Sequence, residues 1–214
     1  KFFMKKITLL FFILTLSLSN NTNGSAEGPK NYLKGKFKDS VKNHFLIATK
    51  KMNDNKFKKT VIVMLESDEN GAWGLVINKP LGSIPIALLI DSSFNTPDKR
   101  EKLYKIKIPI FWGGPVERDK IFVLHSREYK SSSTNNYGKL SVSQDYDILY
   151  DIAEGKGPEK SMVILGYSGW GDGQLEGEME MDHWILSNID LDITFEKKSE
   201  KKWKKAYKNS FIKI

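Results

Sequence analysis

From His44 onward the apolar positions fall into short runs, divided by polar stretches that carry glycine or proline. Phe45-Leu46-Ile47-Ala48 and Thr60-Val61-Ile62-Val63-Met64-Leu65 are unbroken runs, the pattern of strands buried on both faces. Ser67-Asp68-Glu69-Asn70-Gly71 supplies turn chemistry, with Asn-Gly suited to positive φ, and residues 72–78 resume as a strand. The spacing predicts a hairpin. Lys79-Pro80 predicts the end of that strand, because proline has no N–H to give a ladder. Residues 84–90 then read as a helix, and residues 92–102 as a polar surface excursion.

Residues 108–112 and 120–126 predict two more strands around Gly113-Gly114-Pro115, and residues 127–138 have the composition of a mobile loop. Ser143 is placed to cap a helix through Asp145, Ile148, Leu149 and Ile152 to Gly155. Residues 161–166 read as a strand, 169–173 as a turn and 175–181 as a helix. Residues 189–195 alternate as a last strand, and residues 199–209 form a basic closing helix. Apolar strands interleaved with helices predict an α/β fold: a mixed β-sheet covered by helices on both faces, in a single compact domain over residues 44–214.

The segment before that domain has a different character. Met4-Lys5-Lys6, the uncharged apolar stretch from Ile7 to Leu18, and small residues at Gly24 and Ala26 are the three parts of a secretory signal over residues 1–26. The stretch is roughly a dozen residues, against the ~20 that a bilayer crossing needs. No stable transmembrane span is therefore expected in the mature chain. Residues 27–43 read as a linker or loosely docked arm. The leader predicts export, with the periplasm as the destination.

Composition sharpens this picture only locally. The 214 residues carry a net charge of +8, which raises nucleic acid or anionic lipid as partners. The excess is concentrated in the leader and in the run of lysines from Lys197 to Lys213. Trp203, Tyr207 and Phe211 recur there every four residues, the spacing of a docking face with its lysines in water. Nucleic acid is therefore a disfavoured partner. The absence of cysteine removes disulfides, thiol nucleophiles and Cys-ligated zinc.

Candidate chemistry is sparse. His44, His125 and His183 show no metal-ligand spacing, and no metal or cofactor is implied. Glu176, Glu178 and Glu180 read as a solvated helix face. The Gly166–Gln174 stretch follows a buried strand and precedes a helix, where α/β sheets place ligand crevices. It has neither the G-x-S-x-G of a hydrolase elbow nor the lysine of a phosphate loop. Phe111-Trp112-Gly113-Gly114-Pro115 is a second glycine corner. The candidate site is a groove between these corners and the strand end at Asn78-Lys79-Pro80. Its candidate ligand-binding residues are Asn78, Pro80, Gly113, Gly114, His125, Tyr167, Trp170 and Gln174, with no catalytic residue among them.

Taken in order, several segments resemble the YqgE/AlgH family of bacterial proteins. They are Phe45-Leu46-Ile47-Ala48, Asn70-Gly71-Ala72, Gly74-Leu75-Val76-Ile77-Asn78-Lys79-Pro80, Gly113-Gly114-Pro115-Val116 and Leu124-His125. They continue with Ser143, Asp145 and Leu149, Gly157-Pro158, Leu165-Gly166-Tyr167-Ser168-Gly169-Trp170, Gly173-Gln174-Leu175-Glu176, Glu178, Trp184, and the pair Trp203 and Ala206. The resemblance implies a compact α/β domain without an established activity, often labelled a transcriptional regulator. Members of the family are mostly read as cytoplasmic, which sets that location beside the export that this leader predicts. The family pattern has alanine where this chain has Ser168, which argues against a nucleophile there. The function that follows is a non-enzymatic accessory domain binding an unknown small molecule or protein. A regulator or a hydrolase using His125 as base are the alternatives.

Overall fold

A computed structural model describes residues 41–90 and 97–210. The leader, most of the arm and Phe211 lie outside the described residues. The chain runs through β1 (His44–Ala48), β2 (Val61–Asp68), β3 (Gly71–Val76), β4 (Pro80–Pro85), α1 (Pro97–Lys105), β5 (Lys107–Trp112) and β6 (Val116–His125). It continues through β7 (Asn135–Tyr137), β8 (Leu140–Ser143), α2 (Asp147–Ala153), β9 (Ser161–Gly171), α3 (Gln174–Glu180), β10 (Trp184–Asn188), α4 (Leu191–Thr194) and α5 (Ser199–Lys208).

The strands form one curled sheet in the order β10-β1-β2-β3-β9-β6-β8-β7, with β4 joined through β5 to β9. All pairings are antiparallel except β5 with β9, so the sheet is mixed, as the sequence predicts. The runs of β1 and β2 are unbroken because both faces are buried. Phe45, Ile47, Val61 and Val63 enter one apolar cluster, whereas Leu46, Ala48, Ile62 and Met64 enter another. The first cluster also gathers Phe122, Leu124, Leu140, Val142 and Ile164 from the far strands. The sheet's own curl therefore covers much of what the sequence assigned to helices. Among the helices, α5 adds Ala206 to that cluster, α3 adds Leu175 to the second, and α2 adds Ile148 and Leu149 to a third.

The long strand β9 is the spine of the fold. Residues 163–165 pair with β5 on one side, residues 161–165 and Tyr167 pair with β6 on the other, and residues 168–171 pair with β3. Gly166 sits between these halves at φ +69°, where a side chain would be strained, and lets the strand turn from one set of partners to the next.

Several local expectations are corrected. Proline at position 80 opens β4 rather than ending β3; among the described residues β4 has a ladder partner only in β5, so the missing N–H is harmless at the first residue of an edge. Residues 84–90 finish β4 and make a single 3-10 turn over Ile86–Leu88 instead of a helix, and α1 occupies part of the predicted excursion. Residues 127–138 are tied down: the Ser131 and Ser133 hydroxyls both donate to Asp145, and β7 pairs with β8. Ser143 lies in β8, and it is the Asp145 carboxylate that accepts the Ile148 N–H at the start of α2. The alternation over residues 189–195 belongs to α4, because the Asp190 side chain accepts from the N–H groups of Asp192 and Ile193.

Candidate functional site

The two glycine corners meet. The Gly113 N–H donates to the Leu165 carbonyl at 2.8 Å, and the Gly113 carbonyl accepts from the Val76 N–H and the Ser168 hydroxyl. The Trp112 N–H closes on the Lys79 carbonyl at 2.8 Å. Backbone packs on backbone so tightly that a Cβ at Gly113 would lie 2.1 Å from the Gly166 oxygen. Asn78 is consumed in the same construction: its side-chain oxygen accepts from the Val61 N–H and its amide donates to the Lys59 carbonyl. Asn78, Gly113 and Gly114 therefore build the scaffold, with Pro80 exposed at the edge of β4.

His125 stands apart. It pairs with Ser161, six residues along β9 from Tyr167, so about 20 Å separates it from the corners at strand spacing. Its ring is fully buried, with Nε2 3.0 Å from the Ser143 hydroxyl and Nδ1 2.8 Å from the Ser126 carbonyl. A serine beside a histidine has the outline of a nucleophile and base, but the ring nitrogen opposite meets a carbonyl rather than a carboxylate. Ser143 is buried as completely as the ring. Burial lowers the His125 pKa below its ordinary value of 6.5, opposed by the Ser126 carbonyl and the charges of Glu128 and Asp145. A histidine depressed on folding takes up its proton in the unfolded chain first. Its contribution to stability is complete above about pH 6.5 and is lost as pH falls through the folded value. The melting temperature should therefore drop between pH 7 and pH 5, and His125→Asn should flatten that drop while lowering the plateau. An acid limb of unchanged slope in the variant would refute this role.

Open space lies beyond the corners, where β9 alternates toward its end. A cleft of about 480 Å³ is lined by Trp73, Phe122 and Tyr167, with Glu66, Lys120 and Gln144 among its polar groups. Trp73 is the hub, its ring centroid 5.7 Å from Tyr167, 5.8 Å from Phe122 and 6.2 Å from Tyr137. Glu66, the cross-strand partner of Trp73, accepts from its indole N–H at 3.0 Å and from the Tyr137 hydroxyl. Burial and the Glu66 charge push the Tyr137 hydroxyl up to about 12, so it stays a donor. The Lys120 ammonium lies 5.6 Å from the Phe122 ring centroid and pairs with Glu117.

A second cleft of about 370 Å³ shares Gly169 and Trp170 with the first. Phe57, Trp170 and Trp184 line it together with Glu178 and Gln174. Glu178 accepts from the indole N–H groups of Trp170 at 3.0 Å and Trp184 at 2.6 Å, and from the Gln174 amide at 3.0 Å. The sequence pattern placed Glu178 on a solvated face; α3 instead turns it onto two indoles. Of the residues singled out in the sequence, Tyr167, Trp170 and Gln174 line these clefts. Trp73, Phe122 and Phe57 were not singled out, and Trp184 entered only through the family resemblance. Their only local signal is aromatic character, in strands for Trp73, Phe122 and Trp184 and in a turn for Phe57, which a buried core shares.

Among the described residues no three His, Asp or Glu side chains gather as a metal site, and no helix is long and apolar enough to cross a membrane. A model of the AlgH-like family matches residues 45–214. A UPF0301 protein of Pseudomonas putida (strain W619) is 40% identical over 162 residues, covering 76% of this chain and 84% of its own. A UPF0301 protein of Pseudomonas aeruginosa (strain LESB58) is 42% identical over 156 residues, covering 73% and 81%. The solution structure of the AlgH protein from Pseudomonas aeruginosa superposes with a TM-score of 0.65 at 38% identity, over 79% of this chain and 88% of that one. A crystal structure of a Corynebacterium diphtheriae protein shares the fold at a TM-score of 0.53 and 16% identity, over 71% and 77%.

Proposed function

This chain belongs to the AlgH-like family, and from that premise we propose that its domain is a non-catalytic binding module for a small amphipathic ligand. The carrying observation is the cleft of about 480 Å³ floored by Trp73, Phe122 and Tyr167. Its volume is that of a small-molecule site, its floor is aromatic, and charged and amide groups stand at its rim. The Ser143–His125 pair, which a hydrolase would use, has no opening toward substrate. A nucleic-acid reading would rest on α5, and that helix spends Lys202 inside the protein and Lys205 on Glu196.

The test is a thermal-shift screen of small aromatic and amphipathic metabolites on the full chain, followed by calorimetry. A hit should raise the melting temperature in wild type and bind about tenfold or more weakly in Tyr167→Leu or Trp73→Leu. Ligands that bind the folded variants as tightly as wild type would remove the cleft from the reading. Export belongs to the same proposal, supported by the leader. Fractionated cells should yield a chain beginning at Glu27, and an intact leader on a cytoplasmic product would contradict it.

A further inference from the structure

We propose that the second cleft, between β9, α3 and the loop that carries Phe57, is a site for a small alkylated ammonium ion. Three observations converge on that chemistry. First, the walls are rings set at large angles to one another. Trp184 meets Trp170 at 6.0 Å and 85°, and meets Phe57 at 5.8 Å and 75°. Rings on more than one side of a space suit a quaternary or alkylated cation, which is attracted by the negative quadrupole of an aromatic face.

Second, the carboxylates outnumber the basic groups of the lining, of which His183 is the one present. Asp54 and Glu178 both line the cleft, and neither has a lysine or arginine within ion-pair distance among the described residues. Among the described residues the Asp54 carboxylate accepts the Lys56 backbone N–H alone, and it stands exposed at the edge. Third, Glu178 draws on the indole N–H of both tryptophans through the same oxygen. Donation to a carboxylate polarises each indole toward its ring, which makes both faces better partners for a cation. The thioethers of Met52 and Met181 complete the wall with polarisable surface suited to methyl groups. A space of about 370 Å³ holds a trimethylammonium group with a tail.

The two carboxylates also separate a free ammonium from a phospholipid headgroup, because the adjoining phosphate would face Asp54. The order expected is therefore choline and tetramethylammonium above phosphocholine, with the neutral isostere 3,3-dimethylbutan-1-ol weakest. Titration calorimetry and tryptophan fluorescence on the full chain read this directly. Choline should saturate and quench, and the neutral isostere should bind about tenfold or more weakly. Asp54→Asn and Phe57→Leu alter the edge and one wall without touching the Glu178 hydrogen bonds. Each should weaken choline several-fold, Asp54→Asn at unchanged melting temperature and Phe57→Leu in a protein that still melts cooperatively after losing its ring contacts with Trp112 and Trp184. Equal binding of the neutral isostere, tighter binding of phosphocholine, or no binding of either cation to the folded protein would each overturn the assignment. Neither Asp54 nor Phe57 lines the Trp73 cleft, so a negative result here leaves the proposed function standing.

Discussion

Replacing Lys202 with alanine is expected to lower the stability of this protein by about 3 kcal/mol, the sum of a lost stem and of orphaned carbonyls. At a melting-temperature change of about 2–4 °C per kcal/mol for a domain of this size, the shift should approach 10 °C. Lys202 projects from α5 into the interior with 1% of its surface exposed. Its ammonium donates to the Thr194 carbonyl at 2.7 Å and the Ile77 carbonyl at 2.8 Å, and lies 5.4 Å from the centroid of Phe111. One side chain thus ties the closing helix to the end of α4, to the chain beyond β3 and to β5. Lys202→Met keeps the stem and removes only the donors, so it should fall between wild type and the alanine variant.

The pH dependence separates the charge from the packing. Burial lowers the Lys202 pKa from 10.5 to about 8. Between those values the unfolded chain holds the proton that the folded chain has released, so stability rises with pH across that interval. The difference between wild type and Lys202→Met should therefore grow from pH 8 to pH 10, in favour of wild type. A difference that stays flat would mean that the ammonium is not desolvated.

Lys202 also marks what local pattern could not reveal. The aromatic spacing predicts a docking face on α5, and Trp203 and Tyr207 do pack against the core. Its expectation that the lysines stay in water fails at Lys202. The same face carries Ser199, Lys202 and Ala206, and nothing in the helix says that two main-chain carbonyls from distant segments will meet the lysine. The strands β1, β2, β3 and β5 and the first half of β9 were legible because apolar runs leave few alternatives. The second half of β9 was not: its glycines read as a turn over residues 169–173, whereas the strand continues to Gly171 by pairing with β3. The strands β7 and β8 were not, because β7 is three residues with two asparagines, β8 is only four residues with serine at alternate positions, and both sit beside a serine network closed by Asp145. The site divides the same way. Glycine corners announce where backbones approach, and the sequence located them. Which neighbour each accepts is a tertiary fact, and here the neighbour of each corner is the other.

Gly114→Ala is expected to abolish soluble folded protein, whereas Gly177→Ala should be stabilising by up to about 1 kcal/mol. The chemical change is the same methyl group. At Gly114 the added carbon would sit 2.1 Å from both the carbonyl carbon and the oxygen of Tyr167, and 2.3 Å from the Ser168 nitrogen. These are backbone atoms of the spine strand and cannot rotate aside, and the φ of +154° is one that a side chain resists. At Gly177, inside α3, nothing lies within 4 Å, and alanine gains the helix preference that glycine forgoes. Soluble yield and near-ultraviolet dichroism check the first, and a thermal melt the second. The contrast matters for function because Gly114 rests where β9 divides its side chains: Tyr167 lines one cleft, Ser168 the other, and Trp170 both. Any retreat of the spine from position 114 would displace both sets of walls together. Gly114→Ala that folds with a wild-type melting temperature would show that the corner yields, and that the two clefts are not held by this contact.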